Sequence, residues 1–115
     1  MKQSLPILTL TVNAAGVIAA NRFVSAVGAQ VVADANALGV ARVAAAAASE
    51  KIPVDVLGTT IVQSGAAIAA GATLKSDANG KAITWAAAGA KLAIALDAAG
   101  GADELIEVLL IPNVA

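Results

Sequence analysis

The chain has no cysteine, no histidine and no tyrosine, and only one phenylalanine and one tryptophan among its 115 residues. Without cysteine there are no disulfides, no thiolate chemistry and no thiolate-held zinc, and the redox compartment stays open. Without histidine, a serine or threonine nucleophile lacks its usual base, and no S-x-x-K spacing offers lysine in its place. The adjacent acids Asp103-Glu104, with Glu107 nearby, lie in a glycine loop and at a strand start, where solvated carboxylates are the rule. No G-x-x-x-x-G-K-[ST] loop cradles a phosphate. Asp77-Ala78-Asn79-Gly80 matches half of a calcium loop but lacks the downstream glutamate, so a turn explains it better. No enzyme constellation emerges, and no cofactor or metal is expected.

Charge is equally sparse. Seven basic and eight acidic residues are scattered singly and give a net charge of −1. Nucleic-acid binding needs a basic face and aromatic stacking platforms, so no nucleic-acid partner is expected. The uncharged stretches Gln3 to Asn21 and Val56 to Leu74 are broken by Pro6, Asn13 and Gly16 in one and by Gly58, Gly65 and Gly71 in the other. A spanning helix wants about 20 mostly apolar residues. Neither stretch qualifies, and M-K-Q-S-L-P is a poor secretion signal, so no membrane association is expected.

The chain is nevertheless 59% apolar, with alanine supplying 32 of those residues. Alanine removes little area from water, and hydrophobic stabilisation scales with apolar area buried. The core is thin for its length, which points to burial against copies of itself or a larger partner.

Strand signals dominate. Ile7-Leu8-Thr9-Leu10-Thr11-Val12 alternates leucine with threonine, and Asn13 to Gly16 follows as a turn. Arg22 to Ala33 reads as one or two short strands broken at Gly28. Ile52-Val54-Val56 alternates with Pro53 and Asp55, a half-buried strand whose proline suits an edge. Thr59 to Gln63, Ala72 to Lys75, Lys81 to Trp85, Leu92 to Leu96 and Leu105 to Ile111 complete the set, with a hairpin through Asn79-Gly80. The alanine run Ala44–Ala48 has helical propensity but no apolar face to bury, and reads as a closely packed strand. Short strands with turns every eight to twelve residues predict an all-β barrel, sandwich or β-clip-like domain, with at most one or two short helices, in Ala29–Ala37 or the alanine run.

One phrase occurs twice. Gly16 to Val24 (GVIAANRFV) is echoed from Gly65 to Leu74 (GAAIAAGATL), which places Ile18-Ala19-Ala20 fifty residues before Ile68-Ala69-Ala70. Gly39-Val40-Ala41 stands fifty before Gly89-Ala90-Lys91, and Val54-Asp55-Val56-Leu57 fifty-two before Ile106-Glu107-Val108-Leu109, the extra two being assigned to the Gly100-Gly101 loop. The pattern predicts two copies of one structural unit, duplicated in structure and not in polar chemistry.

GVIAANRFV, the later ALGVARVA, the VDVLG strand end and the block GAAIAAGATLKSDANGKA together resemble the capsid cement, or head decoration, proteins of tailed phages. The similarity runs from about residue 12 to 111. The resemblance implies a structural virion protein on the outer capsid surface, made in the host bacterial cytoplasm, that stabilises the expanded head. It implies the major capsid protein as partner and a homotrimer as the favoured oligomer. Residues 1–12 correspond to an extended N-terminal arm and first strand, and residues 13–115 to one β-rich decoration domain. Candidate contacts are Lys2, Gln3, Ser4, Leu5 and Pro6 in the arm, and Arg22, Phe23 and Trp85. The alternative is another self-assembling phage structural protein, a tail, fibre-base or shell subunit.

Overall fold

The computed structural model describes residues 4–111. Eight strands follow in order: β1 (Pro6–Asn13), β2 (Phe23–Val24), β3 (Gly39–Ala41), β4 (Lys51–Gln63), β5 (Thr73–Ser76), β6 (Ala82–Thr84), β7 (Ala93–Ala95) and β8 (Leu105–Leu110). They form one sheet in the order β2-β3-β4-β8-β7-β5-β6, with β1 added beside β4, and every strand pair is antiparallel. The sheet curls into a nearly closed barrel, the all-β architecture that the strand spacing predicts.

No helix occurs among the described residues. The alanine run is also not a strand: it is loop, joined by an isolated bridge in which Ala45 exchanges backbone hydrogen bonds of 2.9 and 3.0 Å with Ile18, itself outside the strands. Methyl groups alone offer neither a helix face to bury nor the branched surface that favours pleated pairing. The expected strand over Arg22 to Ala33 shrinks to Phe23–Val24 for a related reason, since the chain turns back at Ser25–Gly28.

The two strands expected over 52–56 and 59–63 are one strand of 13 residues, passing through Gly58. Gly58 has φ +94°, and a Cβ there would meet the Leu5 carbonyl oxygen and lie 2.8 Å from the Ile7 nitrogen. Pro53 sits inside the sheet and not on an edge: it opposes Thr11 of β1, and its carbonyl still accepts the Arg42 N–H at 3.1 Å. The β5–β6 hairpin forms as expected, but Asn79 is not in the left-handed region. Asp77 Oδ1 instead accepts the backbone N–H groups of Asn79 and Lys81, and Gly80 alone takes positive φ, at +76°.

Strand register shows that the echo is structural. The first repeat runs from β1 to the first half of β4, and the second from the rest of β4 to β8. In each, the first strand pairs with the last: Val12 opposes Ile52 and Val62 opposes Ile106. In each, the third pairs with the last: Ala41 opposes Val54 and Ala95 opposes Val108. In each, the phrase isoleucine bonds a loop alanine: Ile18 with Ala45, Ile68 with Ala99. Corresponding residues lie 50 apart up to the second strand and 54 apart from the third strand on.

Two expectations are thereby corrected. Gly39-Val40-Ala41 corresponds to Ala93-Ile94-Ala95, not to Gly89-Ala90-Lys91, and Asp55 corresponds to Leu109, not to Glu107. The four additional residues lie in the β5–β6 hairpin region between Leu74 and Leu92, whose counterpart is the shorter stretch between Val24 and Leu38; they are not in the Gly100-Gly101 loop.

Burial follows the same symmetry. Ile18, Val24, Ala41, Ala45, Ile52 and Val54 form one buried cluster. Their counterparts Ile68, Leu74, Ala95, Ala99, Ile106 and Val108 belong to a second, larger one. The second cluster also contains Phe23, Val31, Ala37 and Val40, so the first repeat contributes to the core of the second.

Candidate functional site

The feature that sets the surface apart is β1. Lys51–Gly58 holds it on one side only, and six of its eight residues are exposed. Ile7 is 81% exposed, Leu8 40% and Leu10 39%, and Leu5 just before the strand is 61% exposed. Register shifts between Pro6 and Thr9 twist the strand, so apolar side chains emerge on both faces. Edge strands are ordinarily blunted by charge, yet Gln3 to Asn21 carries none. Four neighbouring large apolar side chains on one open strand mark a contact surface.

β1 is pinned from below. Asp55, fully buried in β4, accepts a hydrogen bond from Thr9 Oγ1 on Oδ1 at 2.9 Å and one from Thr60 Oγ1 on Oδ2 at 2.7 Å, with Arg42 Nε 3.4 Å from the same Oδ2. A buried carboxylate is tolerated only when paired and hydrogen-bonded, and here each partner comes from a different strand or strand end. We expect Asp55→Ala to cost about 3 kcal/mol, because two hydroxyls and a guanidinium lose their acceptor. Hydrogen exchange should show β1 amides opening before those of β8.

The arm residues Lys2 and Gln3 lie outside the described residues. Ser4 is half-buried beside the Asp55 pocket, Leu5 exchanges backbone hydrogen bonds with Thr59, and Pro6 opposes Gly58. Arg22 is engaged inside the molecule: Nε donates to Gln63 Oε1 and an Nη to the Asn79 carbonyl, both at 3.0 Å. Trp85 is half-buried, its indole N–H donating to Gly89 O at 2.9 Å and its ring lying 4.5 Å under Lys91 Nζ. Phe23 must be withdrawn as a surface contact, because it is fully buried in the core. The expectation for Glu107 also fails: it is 2% exposed, although Asp103 and Glu104 are exposed as anticipated.

Ile7, Leu8 and Leu10 were not singled out by sequence reasoning. The legible signal was the missing charge along the first strand.

The exposed Asp103 carboxylate is held below its ordinary range, first by the hydrogen bond from Lys81 and then by the charges of Lys81 and Arg22. A carboxylate lowered in the folded state adds stability above its unfolded pKa, about 3.9, and loses it as pH falls through the lower folded value. Wild type and Lys81→Ala should therefore differ in thermal stability at neutral pH and converge below about pH 4.

Among the described residues no group of three or more acidic side chains is placed to hold a metal ion, and no helix is long and apolar enough to cross a membrane. An all-β domain with a two-repeat core and an uncovered apolar strand defines a class: a module that works by surface contact. Comparison with protein families is specific. The model of the phage cement protein family matches residues 1–110, and the chain belongs to that family of phage structural proteins that bind the capsid. Among solved structures, the head fiber gp8.5 N base of bacteriophage phi29 has the same fold. It is 15% identical, with a TM-score of 0.74 over 90% of this chain and 93% of that one. No curated protein sequence matches significantly.

Proposed function

We propose that the chain sits on the outer surface of a tailed-phage head, binds the major capsid protein, and stabilises the shell after expansion. The observation that carries this reading is the open strand β1, with Leu5, Ile7, Leu8 and Leu10 exposed on an uncharged edge. Residues 1–12 act as the arm and first strand that engage the capsid, and residues 13–115 form the body. The outer edge of β1 takes a capsid strand by backbone hydrogen bonding, and its side chains add apolar contacts. Three copies associate around a capsid symmetry point, so that weak contacts combine through avidity. The family supports a structural and non-catalytic role, and the fold shared with a head fiber base is consistent with attachment to a head. Synthesis takes place in the host bacterial cytoplasm, before assembly on the virion.

The test is co-sedimentation with purified empty heads. Wild type should bind expanded heads saturably and unexpanded heads weakly. Ile7→Asp, at a position already 81% exposed, should keep its thermal unfolding midpoint and bind at least tenfold more weakly. Equal binding by Ile7→Asp would remove β1 from the docking surface.

A further inference from the structure

The two repeats differ at one place beside the strand that the cement reading uses. In the second repeat, Val62 and Thr60 on the first strand and Leu92 before the third are 0%, 3% and 1% exposed. What covers this region is a piece of the first repeat, Asn21–Phe23, which leaves a turn at Asn21 (φ +61°) and enters β2 at Phe23. Gln63 N–H donates to the Asn21 carbonyl at 2.9 Å, the Gln63 side chain accepts from Arg22, and Phe23 joins the same buried cluster as Val62 and Leu92. The β5–β6 turn closes over the segment, with Phe23 N–H donating to Gly80 O at 2.9 Å.

The corresponding positions in the first repeat are Leu10, Val12, Asn13 and Leu38, and there the place is open. They line a groove of about 470 Å³, walled on its far side by Val27, which is 78% exposed. The groove exists because the turn through Ser25–Gly28 is shorter than its counterpart. No charged residue lines it. The backbone is poised as well. Ala14 N–H donates to Glu50 O at 2.8 Å, and the alternation of an antiparallel ladder then turns the Asn13 N–H to the outer edge of β1. That is where Gln63 receives Asn21.

We infer that this groove is the socket for a segment of the capsid protein, uncharged as the groove's lining is, which inserts one large apolar side chain and a backbone carbonyl in the places that Phe23 and Asn21 take inside the molecule. The assignment rests on the cement reading and continues the existing interface between the repeats to its open equivalent. A second copy of the chain, which also exposes large apolar side chains such as Leu5 and Ile7, is the other occupant that the test separates.

Val27→Asp and Val27→Lys test the assignment, with Val43→Asp as an exposed apolar control away from the groove. All three should unfold at the wild-type midpoint. Binding to expanded heads should fall at least tenfold for both Val27 variants and stay unchanged for Val43→Asp. Wild-type binding retained by either Val27 variant would overturn the socket while leaving the cement reading intact. So would normal head binding with loss of self-association, which would give the groove to a second copy. Failure of the wild-type chain to bind heads would refute the cement reading itself, and the socket with it.

Discussion

Phe23→Ala should leave a chain that barely folds. Phe23 is fully buried and is the largest wholly buried side chain of the molecule. Around it the second core cluster contains six alanines among its sixteen members, so little bulk is available to collapse into the vacated space. Phenylalanine-to-alanine changes in cores cost about 3–5 kcal/mol, more where the site cannot relax. Domains of this size are stable by roughly 5–15 kcal/mol in total, and a core built on alanine belongs near the low end. Chemical denaturation followed by Trp85 fluorescence should show a midpoint falling by about half or an absent transition. Trp85→Ala, at a half-buried loop position, should move the midpoint of circular-dichroism unfolding only slightly.

Gly58→Val should do comparable damage by a different mechanism. The position has φ +94°, a conformation that a β-branched residue strongly resists, and the added Cβ would collide with backbone atoms of Leu5 and Ile7. Backbone cannot swing aside as a side chain can. We expect a loss of about 3–4 kcal/mol, from strain together with broken pairing of β1 to β4. Because the strand displaced is also the one proposed to dock, head binding should fall with stability. Gly58→Ala should lie between wild type and valine, and an alanine variant as stable as wild type would contradict the geometry described for β4.

Much of this fold was legible in the residues. The alternations at 7–12, 52–56 and 59–63 became β1 and β4, and the hairpin through Asp77–Gly80 and the apolar closing strand β8 formed where their patterns lay. The two-repeat organisation was visible in the I-A-A echo. Its second offset was not, because alanine recurs so often that Gly89-Ala90-Lys91 matched Gly39-Val40-Ala41 by letter while the sheet pairs Ala93–Ala95 instead. The alanine run was opaque for a physical reason: its propensity is helical, its company is strands, and it is anchored at Ala45, by two backbone hydrogen bonds with Ile18 and burial in the first cluster. Within the candidate site, Ser4, Leu5 and Pro6 were singled out, and the exposed side chains Ile7, Leu8 and Leu10 that follow them were not. A leucine–threonine alternation implies one buried face, and nothing local reveals that six of the eight residues of β1 stand exposed beside β4. Phe23 erred the other way, because adjacency to Arg22 suggested a surface ring while the shared core of the two repeats required it inside.

The central claim is that the chain cements, which binding alone does not establish. Differential scanning calorimetry of expanded heads, titrated with purified chain, measures it directly. The account predicts that the capsid melting transition rises with occupancy and levels off when sites are full, and that Ile7→Asp produces no rise at the same concentration. Saturated binding that leaves the capsid transition where it was would contradict the account, leaving a protein that decorates the head without holding it together.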